Sequence, residues 1–374
     1  MRPAELPPPD PDALAASRRL LERIGAELEA RDNWMSFARY MELALHEPGL
    51  GYYAAGSRKL GPAGDFVTAP ELSPLFARTL ARQIAQILQP GESVLEFGAG
   101  SGALAEVLLQ ELSVPYAVLE TSPELKERQR ERLGDRVRWL ERLPRNFRGV
   151  MIANEVLDAM PVHAIAWTNA GILERGVCIN EHQLAWCDRP AHPEIASSSR
   201  KITIDLPPSG RYESELALLA RLWMRSLGRI LERGAILVID YGFPEGEYFH
   251  PQRSMGTLAC HYRHHVHADP FYLPGLQDIT AHVDFSALAR SAREGGLEVL
   301  GYATQAQFLV NCGITEVLAQ QNADDAARYL PAAAAAQKLL SPSEMGELFK
   351  VLAAGKGVER PLMGFASGNR QDAL

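Results

Sequence analysis

Apolar residues return at helical spacing through Leu14–Ala30 and again through Met35–His46, which predicts two successive helices. Pro48-Gly49-Leu50-Gly51 closes the second, because Pro lacks an N–H and Gly frees the backbone. GPAGDFVTAPELSPLF, residues 61–76, reads as a long ordered loop in which Ser73-Pro74 opens a helix to Leu88. Beyond Pro90-Gly91 the spacing changes. Ser93–Phe97, Tyr116–Leu119, Val137–Leu140 and Gly149–Ala153 are short apolar runs that predict strands. Helical patterns over 101–111 and Pro123–Leu133 separate the first three. Ala235–Ile239 (AILVI) is a continuous apolar run of the kind buried on both faces of a sheet.

Alternation of strand and helix predicts a doubly wound, mainly parallel α/β sheet. Right-handed crossovers bring the strand C-termini to one edge, where ligands bind. Residues 163–206 interrupt the pattern as a small antiparallel insertion, followed by a long helix over Glu213–Leu231. After a strand at Leu297–Ala303, residues 306–340 read as helical, including YLPAAAAAQKLL, and Leu348–Ala353 as a final strand. The expected organisation is an N-terminal helical region and loop at 1–90, a core at 91–305 with its insertion at 163–206, a helical insertion at 306–345, and a last strand and tail at 346–374.

Composition narrows the function classes. Of 374 residues, 47% are hydrophobic and 22% charged, enough apolar mass for a large core. A net charge of −8 argues against a broad nucleic-acid surface. The local exception, Lys126–Arg148, carries nine basic and four acidic residues. It reads as a solvated helix with pairs such as Glu124–Arg128 rather than a docking patch. No apolar run approaches the ~20 residues that span a bilayer, so no membrane insertion is expected. Cys178, Cys187, Cys260 and Cys312 form no CxxC, which fits a reducing compartment. MRPAELPPPDPDALAAS has no apolar h-region and carries acids early, so the expected location is cytoplasmic.

The densest chemical signal is VLEFGAGSGAL, residues 94–104. A strand ending at Glu96-Phe97 runs through Gly98, Ala99, Gly100, Ser101 and Gly102 into a helix. Glycines allow positive φ and let backbone approach a ligand without a Cβ. The helix start beyond favours a carboxylate or phosphate. A second strand ends in Glu120, an acid able to accept from both ribose hydroxyls. NAD and S-adenosylmethionine both fit, and Gly98, Gly100 and Ala103 satisfy a loose dinucleotide pattern. Glu96 separates the two: a carboxylate just before the loop repels a pyrophosphate but suits a methionyl ammonium and its sulfonium. Glu96, Gly98, Ala99, Gly100, Gly102 and Glu120 are the expected cofactor contacts.

Further motifs run along the chain: GDFVTAPELSPLF (64–76), LETSPEL (119–125), NEVLDAMPVH (154–163), VIDYGFP (238–244), GTLACHYRHHVHADPFYLPGLQDITAHVDF (256–285) and GELFKVL (346–352). Together with LEFGAGSG (95–102) they make the chain resemble the MidA family of S-adenosylmethionine-dependent methyltransferases, over residues 35–355. The resemblance implies a class I methyltransferase fold, Rossmann-like and seven-stranded with the last strand antiparallel. It implies S-adenosylmethionine as cofactor and a protein arginine as acceptor. Relatives include a mitochondrial complex I assembly factor that methylates an arginine, so a complex I-type subunit is the expected substrate. It also implies that the loop with Asp65-Phe66 and Thr68 folds over the cofactor; Phe66 either packs there or is an ordinary core aromatic.

A guanidinium acceptor is protonated in water. Paired carboxylates can grip its donor fork and aim one nitrogen. A carboxylate or histidine can take the proton lost late in transfer. Glu155 and Asp158, in Asn154-Glu155-Val156-Leu157-Asp158, are three apart, so a helical turn would put both on one side. They are the expected guanidinium ligands, at a shorter spacing than the acidic loop of arginine methyltransferases. The other reading of Asp158 is a helix or turn cap. Asn154 is expected beside the methionyl end of the cofactor. Asp240 reads chiefly as the anchor of the Tyr241-Gly242 turn, and otherwise as an acceptor-orienting group. Asp278, Thr280, His282 and Asp284 alternate in DITAHVD, either sharing one face of an extended segment or, for Asp278 or Thr280, capping a helix over Phe285–Arg290. His282 is the expected proton acceptor.

Half of the ten histidines fall between His261 and His282, many in CHYRHHVH (260–267). Zinc motifs need two separated ligand pairs, and here the second is missing; Asp269-Pro270 also interrupts any helix. No metal is expected. Instead Tyr262, His264 and His282 are expected to wall an acceptor channel. The alternatives are a small-molecule methyltransferase and a non-catalytic assembly chaperone with the same fold. The oligomeric state is open at this level.

Overall fold

The computed structural model describes residues 6–55, 68–322 and 324–374. Seven strands run through the central sheet: β1 Ser93–Phe97, β2 Tyr116–Leu119, β3 Arg138–Leu140, β4 Phe147–Asn154, β5 Leu231–Phe243, β6 Glu298–Thr304 and β7 Phe349–Lys356, and a two-residue strand, Val283–Asp284, adds to the end of β5. Their order is β3-β2-β1-β4-β5-β7-β6. The first five run parallel. β7 lies antiparallel between β5 and β6. This is the class I methyltransferase arrangement.

The central strands alternate between two cores. Val94, Val150, Ile152, Leu237 and Ile239 face one side, with α3 (Pro74–Ile87) and α4 (Ala103–Glu111). Leu95, Met151, Ala153, Ile236 and Val238 face the other, under α6 (Leu218–Ile230) and α7 (Phe285–Glu294). Burial on both faces explains the continuous apolar runs of β4 and β5. Each fully buried Leu or Ile there contributes roughly 2 kcal/mol. α5 (Pro123–Leu133) carries the first four basic residues of the Lys126–Arg148 stretch, where Arg128 pairs with Glu124 at 2.6 Å and Arg132 with Glu106 at 2.8 Å.

Two expected boundaries move. The antiparallel insertion extends to Leu216 and recruits the N-terminal segment. Its strands are Met35–Ser36, His163–Thr168, Gly171–Asn180, Gln183–Pro190 and Arg211–Leu216. Glu213–Leu216, expected to begin a helix, is therefore strand. Its backbone pairs with His163–Ala166, and Glu213 bridges Arg175 and Arg211, so tertiary pairing overrides local helix preference. Likewise Met35 and Ser36 join the sheet. α2 (Phe37–His46) therefore starts two residues later than expected, with Ser36 Oγ accepting the Arg39 N–H at 3.2 Å. The C-terminal helical region is three helices, Gln305–Asn311, Ile314–Ala319 and Ala326–Leu340.

A three-stranded sheet, His265–His267, Ala259–Tyr262 and Asp278–Thr280, stands near the C-terminal ends of β4 and β5. The end of α2 and Tyr52-Tyr53 meet it there, so segments distant in sequence roof one edge of the sheet.

Candidate active site

Under that roof lies a cavity of about 460 Å³. Its first half is built by the turns after β1 and β2. Gly98, Gly100 and Gly102 all take positive φ (58°, 55° and 80°), the left-handed region that side chains disfavour. The loop is also hemmed in: a Cβ on Gly98 would come within 3.2 Å of Val156 Cγ2. Glu120 leans over the loop. One carboxylate oxygen accepts the Ser122 N–H at 2.9 Å and the other accepts Gln129 Nε2 at 3.0 Å. Gln129, fully buried, also donates to the Gly100 carbonyl and accepts from Trp139 Nε1. It ties the two turns together, and nothing in its sequence setting singles it out.

Glu96 lines the floor and accepts the Tyr116 hydroxyl at 2.6 Å. Burial lifts its pKa to about 7, against the pull of that hydrogen bond. Burial also raises Glu120. Asn154 donates to Glu155 at 3.2 Å, while its buried Oδ1 has no partner among the described residues.

The second half centres on the loop after β4. Asp240, buried near the end of β5, takes three backbone N–H groups of this loop on Oδ2: Val156 at 3.2 Å, Leu157 at 2.9 Å and Asp158 at 3.4 Å. Its Oδ1 accepts the Tyr241 N–H at 2.9 Å. Glu155 and Asp158 do share the cavity, but through this wrapped turn rather than a helical one, with Glu155 at φ 53°. Glu155 accepts the Ala69 N–H at 3.3 Å. Burial, reinforced by Asp158 nearby, pushes its pKa up to about 8. Asp158 is raised by burial too; it accepts the Tyr241 hydroxyl at 2.5 Å and the Ala159 N–H at 2.9 Å.

Of the expected cofactor contacts, Glu96, Gly98, Ala99, Gly100, Glu120, Asn154 and Thr68 line the cavity. Gly102 instead shapes the loop from behind as the N-cap just before α4, and Phe66 lies outside the described residues. His282 also reaches the cavity, between the rings of Tyr241 and Phe243 at 5.1 Å each. Burial, with Arg253 and Lys350 nearby, depresses it to about 4.

The expected channel wall needs correction. Ala259–Tyr262 alternates, so His261 faces the cavity while Tyr262 packs beside Tyr272. His264 sits at positive φ in the hairpin turn, away from the cavity. In DITAHVD, Asp278, Thr280 and His282 face inward, but Asp284 caps α7 through the Ala287 N–H at 2.9 Å. His46, Tyr53 and Tyr241 also line the cavity. Their sequence neighbourhoods suggested only a helix end and turns. No group of three or more His, Cys, Asp or Glu able to hold a metal occurs among the described residues.

Residues 75–303 match a family described as “Putative S-adenosyl-L-methionine-dependent methyltransferase”. The chain belongs to this methyltransferase family. A crystal structure of a “likely methyl transferase from Burkholderia thailandensis bound to S-adenosyl-homocysteine” is 49% identical to it, covering 99% of this chain and 100% of that one at a TM-score of 0.94. “Protein arginine methyltransferase NDUFAF7, mitochondrial” of Danio rerio is 31% identical over 84% of this chain and 82% of the relative. Its Homo sapiens counterpart is 28% identical over 85% and 79%. These relatives are named mitochondrial, so they lend no support to the cytoplasmic expectation.

S-adenosylmethionine is the methyltransferase's cofactor, and the first half of the cavity fits it. Glu120 offers carboxylate oxygens to a ribose diol. Glu96 and the Asn154 Oδ1 offer acceptors to an ammonium, and the glycine loop leaves backbone exposed between them. Removing Gln129 should therefore act at a distance. Gln129→Ala is expected to weaken S-adenosylmethionine binding about tenfold by releasing Glu120, and Glu120→Ala by roughly 10- to 100-fold, read by calorimetric titration. Asp240→Ala should strip four N–H groups of their acceptor and lower unfolding stability by at least about 3 kcal/mol, seen in urea melts.

Proposed function

We propose that this methyltransferase acts on a protein, transferring the methyl group to an arginine guanidinium nitrogen. The charge of the cavity carries this reading. Among the described lining residues are Glu71, Glu96, Glu120, Glu155, Asp158 and Asp278, and no Lys or Arg. Buried carboxyls without a cation beside them hold their protons, as Glu155 does at about 8. A guanidinium supplies the missing charge and a planar donor fork, and so favours their ionised form. The relatives named protein arginine methyltransferase support the same acceptor. A respiratory complex I-type subunit is the target we infer, on the family resemblance.

S-adenosylmethionine, when bound, supplies a methyl group on a cationic sulfur. The chain supplies position and a base. Ala69 N–H and Asn154 hold Glu155; Tyr241 and Ala159 hold Asp158. The guanidinium carries one positive charge before transfer and one after, so its nitrogen must shed a proton. Glu155 is the more basic acceptor for it, since His282 is depressed to about 4. His282 then acts as wall rather than base.

Incubating the enzyme with methyl-labelled cofactor and cell extract is expected to place label on arginine in a protein, identified by mass spectrometry. Label confined to small molecules would overturn the reading in favour of a metabolite acceptor. Glu155→Gln should cut turnover about a hundredfold, with cofactor affinity changed less than about twofold. In the free enzyme Glu155 is protonated below a pH of about 8. kcat/KM for the acceptor should therefore climb with pH and level off above that point, and a flat profile from pH 6 to 9 would exclude the assignment.

A further inference from the structure

Two tyrosine–aspartate pairs face the acceptor half of the cavity, and they are built alike. In one, Asp158 accepts the Tyr241 hydroxyl on Oδ2 at 2.5 Å and the N–H of the next residue, Ala159, on Oδ1 at 2.9 Å. In the other, Asp278 accepts the Tyr53 hydroxyl on Oδ2 at 2.9 Å and the N–H of the next residue, Ile279, on Oδ1 at 3.0 Å. Both aspartates are buried and both line the cavity. The pairs are also joined. The Asp158 carbonyl accepts the Ala281 N–H at 2.9 Å, linking it to the segment that bears Asp278. His46 stacks on Tyr53, ring centroids 5.6 Å apart, and hydrogen-bonds the backbone at Ala159.

A guanidinium has five N–H donors spread around a plane, more than one carboxylate can address. Glu155 and Asp158 account for one edge of it. We propose that Asp278 is a further acceptor-binding carboxylate, oriented by Tyr53, which determines specificity for a guanidinium; this rests on the arginine reading above. Asp278 comes from the roof and Asp158 from the sheet edge, so the cation is held between two separately anchored walls. A lysine ammonium, a compact point charge, uses such divided contacts less well than a planar fork. Tyr53 acts through Asp278 as a positioning residue: its hydroxyl fixes which oxygen faces the cavity.

The test uses the acceptor protein recovered by the labelling experiment. Asp278→Asn is expected to raise its KM about tenfold or more, leaving kcat within about threefold and S-adenosylmethionine affinity within about twofold. Tyr53→Phe should raise KM by a smaller factor with the same split, and Asp278→Glu should recover part of the loss. Thermal melts of each variant accompany the kinetics. An unchanged KM in Asp278→Asn, with wild-type enzyme methylating arginine, overturns this inference alone. A lower melting temperature with kcat and KM falling or rising together marks a structural role and overturns it too. Failure of the wild-type enzyme to label any arginine overturns this and the reading above together.

Discussion

The active half of this enzyme depends on one buried carboxylate. Asp240 gathers three consecutive backbone N–H groups onto a single oxygen and a fourth onto the other. No helix or sheet ladder serves the 156–158 backbone, so without Asp240 those N–H groups would have no buried acceptor. Wrapping the chain around that carboxylate forces Glu155 into the left-handed region and turns Asp158 toward Tyr241. The strain of one non-glycine residue at positive φ is of order 1–3 kcal/mol, which four hydrogen bonds to one buried carboxyl offset. A structural acid thus places two functional acids.

Concentrating carboxyls in this way is costly. Burial raises the pKa values of Glu155, Asp158 and Asp240; Asp158 pushes Glu155 further, and both push Asp240 further. A stable protein would ordinarily place a Lys or Arg among them. Arg253 and Lys350 do come near, yet they face His282 and the Phe243 ring from outside the cavity lining. The electrostatic deficit is thereby kept for a ligand, and both cofactor and proposed acceptor bring positive charge. Perturbed acids clustered in a cleft are the usual mark of a working site rather than of a fold element.

Where sequence reading and structure part, the cause is pairing between distant segments. Glu213–Leu216 has helix-forming residues, but the open edge of His163–Thr168 takes it as a strand. In the histidine-rich hairpin the side chains alternate, so a shift of one residue decides whether His261 or Tyr262 meets the cavity. Which parity faces inward is set by Asp278–Thr280 on the far side of Ala259–Tyr262, and no local pattern encodes that. Asp284 left the expected inward row because the N-terminus of α7 needed an acceptor.

The sequence alone determined the seven strands, the mainly parallel class of their sheet and most of the cofactor half of the cavity. These rest on local physics: short apolar runs bounded by turns, glycines that take three positive φ angles in five residues at no steric cost, and acids at strand ends. It also placed Glu155 and Asp158 at the cavity, since strand C-termini converge by topology, and His282 through the alternation in DITAHVD. Only the tertiary structure decided what surrounds them. His46 and Tyr53 matter through partners far away in the chain, Gln129 through the fold that brings it under Glu120 and Gly100, and the carboxyl protonation states follow from burial and neighbours. Such contacts have no spacing to read, because they form only when the roof closes on the sheet edge.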